Sequence, residues 1–161
     1  MFHPQYFNGN LRSWEYFPAA AGTYKNGQML NVTDGLLAPL EEASTEIPPY
    51  ICQCDRTVKE GEVIPVVRVS ADAIYHTTLS ADAAEAKIGT MLQISAGGEQ
   101  VDASAEGSFE VVGIDDTKKD SVVYGRFITG SAASGAAAAG LEVATDQEVS
   151  DALDEAGMKG D

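Results

Sequence analysis

The chain has 161 residues, 44% of them hydrophobic, and carries a net charge of −15 from 25 Asp and Glu against ten Lys and Arg. This length suffices for one ordinary domain with tails, since about 100 residues can bury a core that folds alone. The negative charge opposes binding to phosphate backbones and anionic lipid, so nucleic acid and membrane are excluded as expected partners.

The N-terminal segment, residues 1–21, holds half of the twelve aromatic residues. It follows neither a helical nor a strand period, and prolines and a glycine interrupt it, so we expect an extended arm. Trp, Tyr, Phe and Arg are enriched at binding hot spots. The expected partner-binding residues are therefore Phe2, Tyr6, Phe7, Arg12, Trp14, Tyr16 and Phe17. One alternative stays open, in which these rings fold back and fill one end of their own domain.

Residues 22–129 consist of short runs rich in Val, Ile and Tyr, separated by turn residues, which is typical of a β-sandwich or β-barrel. Asn26-Gly27 and Asp34-Gly35 flank the run 28–32 and supply the positive φ of tight hairpins, so they predict a meander. The run 63–69 contains Pro65, which cannot donate to a ladder. This proline predicts an edge strand or a bulge.

Further strands are expected at 50–54, 91–94, 108–114 and 121–128, and the polar residues 115–120 read as a hairpin tip. Residues 80–87 begin with a capping Ser80 and acidic residues, end with Lys87, and are followed by Gly89. This order predicts one short helix inside the β domain.

Residues 130–161 form the predicted tail. Gly, Ala and Ser dominate up to Gly140, which predicts a flexible spacer. Thr145 and Glu148 then match a capping box, and Gly157 is a plausible stop, so a short acidic helix is expected. A helix of this length is marginal alone in water, and we expect it to order by docking.

Catalytic and metal-binding patterns are weak. His3 and His76 are the two histidines, and neither accompanies a nucleophile motif, so His76 is expected to be an ordinary strand residue. Cys52 and Cys54 lie two apart, a spacing that bridges poorly and lacks the second ligand pair of structural zinc. They are expected as core thiols in a reducing cytoplasm. We assign no catalytic residue, no metal and no cofactor.

Three stretches carry a family resemblance: AGTYKNGQML at 21–30, DGLLAP at 34–39 and TVKEGEVIPV at 57–66. They resemble the head decoration, or capsid cement, proteins of tailed bacteriophages. The acidic ATDQEV at 144–149 is similar to C-terminal segments of phage virion proteins, including head fibres. The chain departs from the compact lambda-type pattern by its long spacer and tail, which leaves a trimer open.

The resemblance implies a mainly β fold, with a small β-barrel or β-tulip-like domain at 22–129 and one short helix, between the arm and a flexible C-terminal tail. It also implies a non-enzymatic virion protein, made in the bacterial cytoplasm, that binds the exterior of the assembled capsid and stabilises contacts between capsomers. Its partners would be the major capsid protein shell and other copies in a homotrimer.

The interpretation of the arm follows from this resemblance. Anchored by Trp14, Tyr16 and Phe17, it is expected to cross an edge of the major capsid protein while the β domain stands outside. The alternative is a phage head fibre or a glycan- or host-surface-binding adhesive module, in which the β domain presents the site and the tail is a tether.

Overall fold

A computed structural model describes residues 1–7 and 13–128, and strands account for all the regular secondary structure in these two ranges. The chain is therefore mainly β, as the sequence predicts. The strands are β1 His3–Phe7, β2 Glu15–Pro18, β3 Gly22–Tyr24, β4 Met29–Thr33, β5 Leu36–Pro39, β6 Tyr50–Cys52, β7 Arg56–Val58, β8 Val63–Arg68, β9 Ala73–Thr78, β10 Met91–Ile94, β11 Val101–Asp102, β12 Phe109–Ile114 and β13 Val122–Phe127.

The strands form two large antiparallel sheets and a two-stranded ribbon, β3–β7. One sheet has the order β1-β9-β13-β12-β10-β11, and the other has the order β2-β8-β6-β4-β5. Both sheets curl. The bridge between Ala19 and Leu37 brings the end of β2 to β5, and the bridge between Leu79 and Val101 brings the residue after β9 to β11. Curling of this kind pairs backbone groups that a flat sheet leaves at its edges.

Strands β4 and β6 separate two hydrophobic cores. Because alternate residues of a strand point to opposite faces, Met29 and Ile51 enter the first core, while Leu30 and Cys52 enter the second. The first core also contains residues of the six-stranded sheet, among them Tyr75, Phe109 and Phe127. The second lies inside the curled five-stranded sheet and contains Tyr24, Leu37, Val58, Ile64 and Val66. All three residues of β6 are buried, so this strand contributes to both cores.

Part of the predicted irregular arm is regular structure. Residues His3–Phe7 pair with β9, and Glu15–Pro18 pair with β8. The expectation of an extended arm without regular elements is therefore wrong for these residues. The two prolines that suggested it are accommodated locally, because the register of β1 shifts between Pro4 and Tyr6, and Pro18 is the last residue of β2.

The predicted turns have different outcomes. Asp34 and Gly35 have φ of 51° and 79° and close the β4–β5 hairpin, as the sequence predicts. The β12–β13 hairpin is also confirmed, with residues 115–121 as its connection. Gly27 has the expected positive φ of 87°, but β3 pairs with β7 rather than with β4. The Asn26-Gly27 turn therefore carries the chain from the ribbon to a sheet and closes no hairpin.

Pro65 lies in an internal strand, since β8 is placed between β2 and β6, and no register shift occurs along β8. The prediction of an edge strand or bulge is wrong. The carbonyl of Pro65 accepts a hydrogen bond of 3.0 Å from the N–H of Gln53. The N–H and the carbonyl of a strand residue point to the same side, so an N–H at position 65 would also point toward the β6 side. Because β6 ends at Cys52, just before this position, a proline is tolerated there.

The predicted short helix at 80–87 is wrong, because these residues form turns. The N–H of Ala83 donates to the carbonyl of Thr117 at 2.7 Å, and the N–H of Ser80 donates to that of Val101 at 2.9 Å. Ala83 and Ala86 are buried in the first core. Tertiary hydrogen bonds and burial therefore outweigh the local helix signals. The spacer and the second predicted helix, within 130–161, lie outside the described residues.

Replacing Gly125 by Ala tests the packing of the first core. An added Cβ would overlap the Phe109 ring and lie 2.6 Å from the carbonyl oxygen of Glu110. We expect the free energy of unfolding to fall by about 1–3 kcal/mol, as in overpacked cores, when measured by urea titration. Gly22→Ala is the control, because its Cβ would meet only Tyr24 at 3.9 Å. Equal losses in both variants would contradict the described packing.

Candidate interaction surface

Phe2, the first of the predicted partner-binding residues, is a core residue. Its side chain is fully buried, its ring packs edge-on against Phe109 with centroids 5.8 Å apart, and Phe127 lies at 6.0 Å. The N–H of Phe2 donates to the carbonyl of Gly27 at 2.8 Å. The alternative in which arm aromatics fill their own domain therefore holds for this ring.

Three further predicted residues are placed only in part. Tyr6 and Phe7 belong to β1, where their backbones pair with Ile74 and Ala73, and their side chains lie outside the described part of the chain. Arg12 lies outside the described residues altogether. Their expected role as partner contacts stays a prediction.

The remaining predicted residues flank and form β2, and they divide between two faces. Trp14 and Tyr16 are 56% and 61% exposed. Phe17 points the other way, packs against the second core, and has its ring centroid 5.1 Å from that of Tyr50. The alternation of a strand explains this division. Trp14 and Tyr16 are thus the predicted aromatic residues that the structure offers to a partner.

Tyr16 belongs to a small apolar surface that the sequence analysis did not identify. Tyr16 lies opposite Pro65 in register, and Pro18 lies opposite Val63, which is 48% exposed. We refer to Trp14, Tyr16, Pro18, Val63 and Pro65 as the Tyr16 surface. The signal for the β8 residues was present in the sequence, because Ile64 and Val66 alternate with them and enter the second core.

The edge of β2 that faces away from β8 is open over the described residues. The N–H of Ala19 donates to Glu62, and its carbonyl accepts from Gly61, so Ala19 is directed toward the β8 side. Tyr16, an odd number of residues away, directs its N–H and carbonyl to the opposite side. On this opposite side, the N–H of Ala20 donates to the carbonyl of Leu37, but Ala20 lies beyond the end of β2, so this bond does not cover the edge at Tyr16. Such an edge can accept another strand.

Charged residues of both signs lie near the Tyr16 surface. The β7–β8 turn, beside the end of β2, carries the exposed Lys59, Glu60 and Glu62. Glu15 alternates with Tyr16, so it points to the face of the second core, where it forms an ion pair with Arg68 at 2.9 Å. The hydrogen bond from Arg68 to Glu15 raises the pKa of the guanidinium, whose carbon also lies 5.2 Å from the Tyr50 ring centroid. Next to the Tyr16 surface itself, Glu62 accepts the N–H of Lys59, and Arg56 donates to the carbonyl of Val63 at 3.3 Å.

A pair of histidines lies where β1 meets β9. His3 and His76 are cross-strand partners with ring centroids 5.3 Å apart, and Tyr124 lies 6.3 Å from His76. Burial lowers the pKa of His3, and the nearby charges of His76 and the N-terminal amino group lower it further. Close by, the amino group of Met1 donates to the carbonyl of Glu99, whose carboxylate pairs with Lys25 at 2.9 Å.

A groove of about 560 Å³ lies beside the β4–β5 hairpin. Its walls include the small apolar Ala20, Ala38 and Ala43, and its acidic residues are Asp34, Glu41 and Glu42. Histidine and cysteine are absent from the described residues that line it. The lining also includes the hydroxyl residues Thr33 and Ser44.

The described residues, 1–7 and 13–128, do not bring three or more His, Cys, Asp or Glu side chains together in a way that could hold a metal ion. The same residues contain no helix with the length and apolar character needed to cross a bilayer.

Comparison with known proteins does not assign this surface. No protein-family model matches the chain, and the search of curated proteins gave no significant match. The geometry of the described residues is therefore the basis for the function.

The two classes of aromatic residue are separated by alanine substitution. Phe2→Ala should lower the free energy of unfolding by about 3–5 kcal/mol, as for other buried phenylalanines. Tyr16→Ala, on the exposed face, should change it by no more than about 0.5 kcal/mol. Urea denaturation followed by tryptophan fluorescence measures both. A stable Phe2→Ala variant would show that this ring is not a core residue.

The histidine pair predicts a dependence of stability on pH. The pKa of His3 is lower in the folded than in the unfolded chain, so near pH 6 the unfolded chain binds a proton that the folded chain does not. Stability should therefore fall as the pH drops from about 7.5 through the ordinary histidine value near 6.5.

The variant His3→Gln isolates this effect, because it removes the titrating ring and keeps a polar side chain on β1. Its unfolding midpoint in urea should decrease less between about pH 7.5 and about pH 5.5 than that of the unsubstituted chain. The charged groups that act on His3 are His76 and the N-terminal amino group. Glu99 and Lys25 act in turn on that amino group, and Tyr124 lies beside His76. Identical pH dependence in both proteins would contradict the assignment to His3.

Proposed function

We propose that this chain is a non-enzymatic decoration protein of a tailed bacteriophage. It is made in the bacterial cytoplasm, binds the exterior of the assembled capsid, and stabilises contacts between capsomers. The observation that carries the proposal is the open edge of β2 with Trp14 and Tyr16 exposed beside it. The three stretches that resemble capsid cement proteins supply the phage context.

We assign the β domain to the small β-barrel or β-tulip type. The curl of the five-stranded sheet, with the end of β2 meeting β5 at the Ala19–Leu37 bridge, supports this class. Its interior is filled by side chains such as Tyr24, whose hydroxyl donates to the carbonyls of Ala20 and Leu37 at 2.7 and 2.9 Å. A filled, well-bonded body suits a protein that holds a fixed position on a shell.

The proposed contact is strand addition. An extended segment of the major capsid protein would pair with the backbone groups of Tyr16 at the open edge of β2. The rings of Trp14 and Tyr16 would then cover apolar side chains of that segment, as aromatic residues do at binding hot spots.

Fewer aromatic residues are available as anchors than the sequence predicts. Phe2 and Phe17 pack in the chain's own cores, so Trp14 and Tyr16 are the anchors that we propose. Tyr6, Phe7 and Arg12 stay as predicted contacts. Removal of residues 1–17 is a poor test of binding, because it deletes β1, most of β2 and the core ring of Phe2. Substitutions at exposed positions leave those elements in place.

The weak contact of one copy is offset by the number of sites on a shell. A lattice offers many equivalent positions, and copies that touch each other gain avidity without new contacts to the capsid. A homotrimer over threefold positions would supply such contacts. We keep it as part of the proposal, and light scattering of the free protein measures it.

The alternative of a head fibre or a glycan- or host-surface-binding module has less support. Sugar sites commonly use an aromatic ring as a stacking platform beside polar groups. The described residues that line the groove at the β4–β5 hairpin include no aromatic ring. Binding of the protein to host cells in the absence of capsid would favour this alternative.

The double substitution Trp14→Ala with Tyr16→Ala tests the proposal on the folded chain. Loss of one hot-spot residue costs at least about 2 kcal/mol, so affinity for expanded empty shells of the same phage should fall at least about thirtyfold if one of the two rings is a hot spot, and about a thousandfold if both are. Co-sedimentation over a range of protein concentrations measures this affinity.

Ile88→Ala is the matched control, because Ile88 is also an exposed apolar side chain, 73% exposed, and its neighbour Gly89 bonds to Val111 of the six-stranded sheet, whereas β2 belongs to the five-stranded sheet. It should bind shells like the unsubstituted chain. Full-strength binding by the double variant, or no stoichiometric binding by the unsubstituted chain, would overturn the proposal.

A further inference from the structure

The two cysteines meet at the end of β6. The Sγ atoms of Cys52 and Cys54 are 3.7 Å apart, and both thiols are free. The thiol of Cys52 also donates to the carbonyl of Cys54 at 3.3 Å. A disulfide needs an S–S distance of about 2.05 Å, so closure requires a local movement of less than about 2 Å.

This approach is unexpected from the spacing alone. In a regular strand, residues two apart are separated by about 6.6 Å along the strand, which keeps their sulfur atoms apart. Here β6 ends at Cys52, and Gln53 bonds through its N–H to the carbonyl of Pro65. The chain then leaves the strand, and Cys54 comes over the thiol of Cys52. The geometry, rather than the sequence pattern, makes the pair suitable for bridging.

The two thiols differ in access. Cys52 is fully buried in the second core. Its N–H donates to the carbonyl of Gln28, and its carbonyl accepts from the N–H of Gly27, both at 2.8 Å. Cys54 is only partly buried and packs against that core from outside. Burial raises the pKa of the Cys52 thiol to about 12. A reagent in solution therefore reaches Cys54 first.

We propose that Cys52 and Cys54 form a reversible dithiol–disulfide site that reacts with low-molecular-weight disulfides of the glutathione type. In the first step the Cys54 thiolate attacks the small disulfide, forms a mixed disulfide and releases one small thiol. In the second step Cys52 loses its proton and attacks the Cys54 sulfur, which expels the second small thiol. The protein gives up two electrons and two protons, and the small disulfide is reduced to two thiols.

The bridge would fasten a segment that supports the N-terminal part of the chain. The residue after Cys54, Asp55, accepts the N–H of Asn26 at 3.0 Å. The Asn26-Gly27 turn in turn accepts the N–H of Phe2 at 2.8 Å. A disulfide between Cys52 and Cys54 would therefore restrain the segment next to Asp55, which holds the Asn26-Gly27 turn. The site is independent of the capsid-binding proposal, since none of its residues belongs to the Tyr16 surface.

The test uses the full, reduced chain incubated with an excess of oxidised glutathione, quenched with an alkylating reagent and weighed by intact-mass spectrometry. The expected product has lost two hydrogen atoms, carries no alkyl group and is monomeric on a non-reducing gel. The rate at which the mixed disulfide converts to the internal disulfide should increase by about tenfold per pH unit between about pH 7 and about pH 9, because Cys52 must lose its proton before it attacks. Excess reduced glutathione should restore both thiols.

Two variants separate the roles of the thiols. Cys54→Ser should stay unmodified at Cys52, because the remaining thiol is buried, while Cys52→Ala should stop at the mixed disulfide on Cys54. Circular dichroism checks that each variant is folded. If Cys52→Ala does not fold, the products formed by the unsubstituted chain are sufficient to test the proposal. A mixed disulfide that persists on the unsubstituted chain throughout this pH range, two thiols that stay fully alkylated, or a disulfide between chains would overturn the proposal.

Discussion

Burial of β6, and of Met29 and Leu30 at the start of β4, on both faces is the constraint on which the rest of the structure depends. Met29 and Ile51 complete the first core, and Leu30 and Cys52 complete the second, so neither core closes without this pair of strands. The two curled sheets can then each use one face of the same strands. A residue buried on either side contributes about 1.5–3 kcal/mol relative to exposure, which makes the shared strands the most costly place to introduce a polar side chain.

The N-terminal segment is fastened to both of these layers. Phe2 enters the first core and β1 lies along β9, whereas β2 lies along β8 of the other sheet. The N-terminal segment therefore contributes to the stability of the fold. The parts of it that we propose for binding are its exposed side chains and the open edge of β2. Of the aromatic rings that stood out in the sequence, Trp14 and Tyr16 are exposed because they are not taken up by either core.

Two local signals in the sequence predicted hairpins correctly. Asp34 and Gly35 predict the β4–β5 hairpin because a tight turn needs positive φ, and the polar tip predicts the β12–β13 hairpin because its strands are neighbours in the chain. Features that depend on distant partners were not predictable. The helix expected at 80–87 loses to hydrogen bonds with Thr117 and Val101, and Pro65 is tolerated because β6 ends beside it. Val63 and Pro65 belong to the candidate surface because β2 pairs with β8, and Cys52 contacts Cys54 because β6 ends between them. Neither the pairing nor the strand end is marked in the sequence.

Amide hydrogen exchange of the protein, free and bound to shells, tests the central claim most directly. At the open edge of β2 the N–H of Tyr16 points away from β8, so it should exchange rapidly in the free protein. Strand addition by the capsid protein predicts strong protection of this amide on binding, while the amides of the buried β6 change little. Binding that leaves the exchange of Tyr16 unchanged, with new protection confined to other strands, would contradict the account.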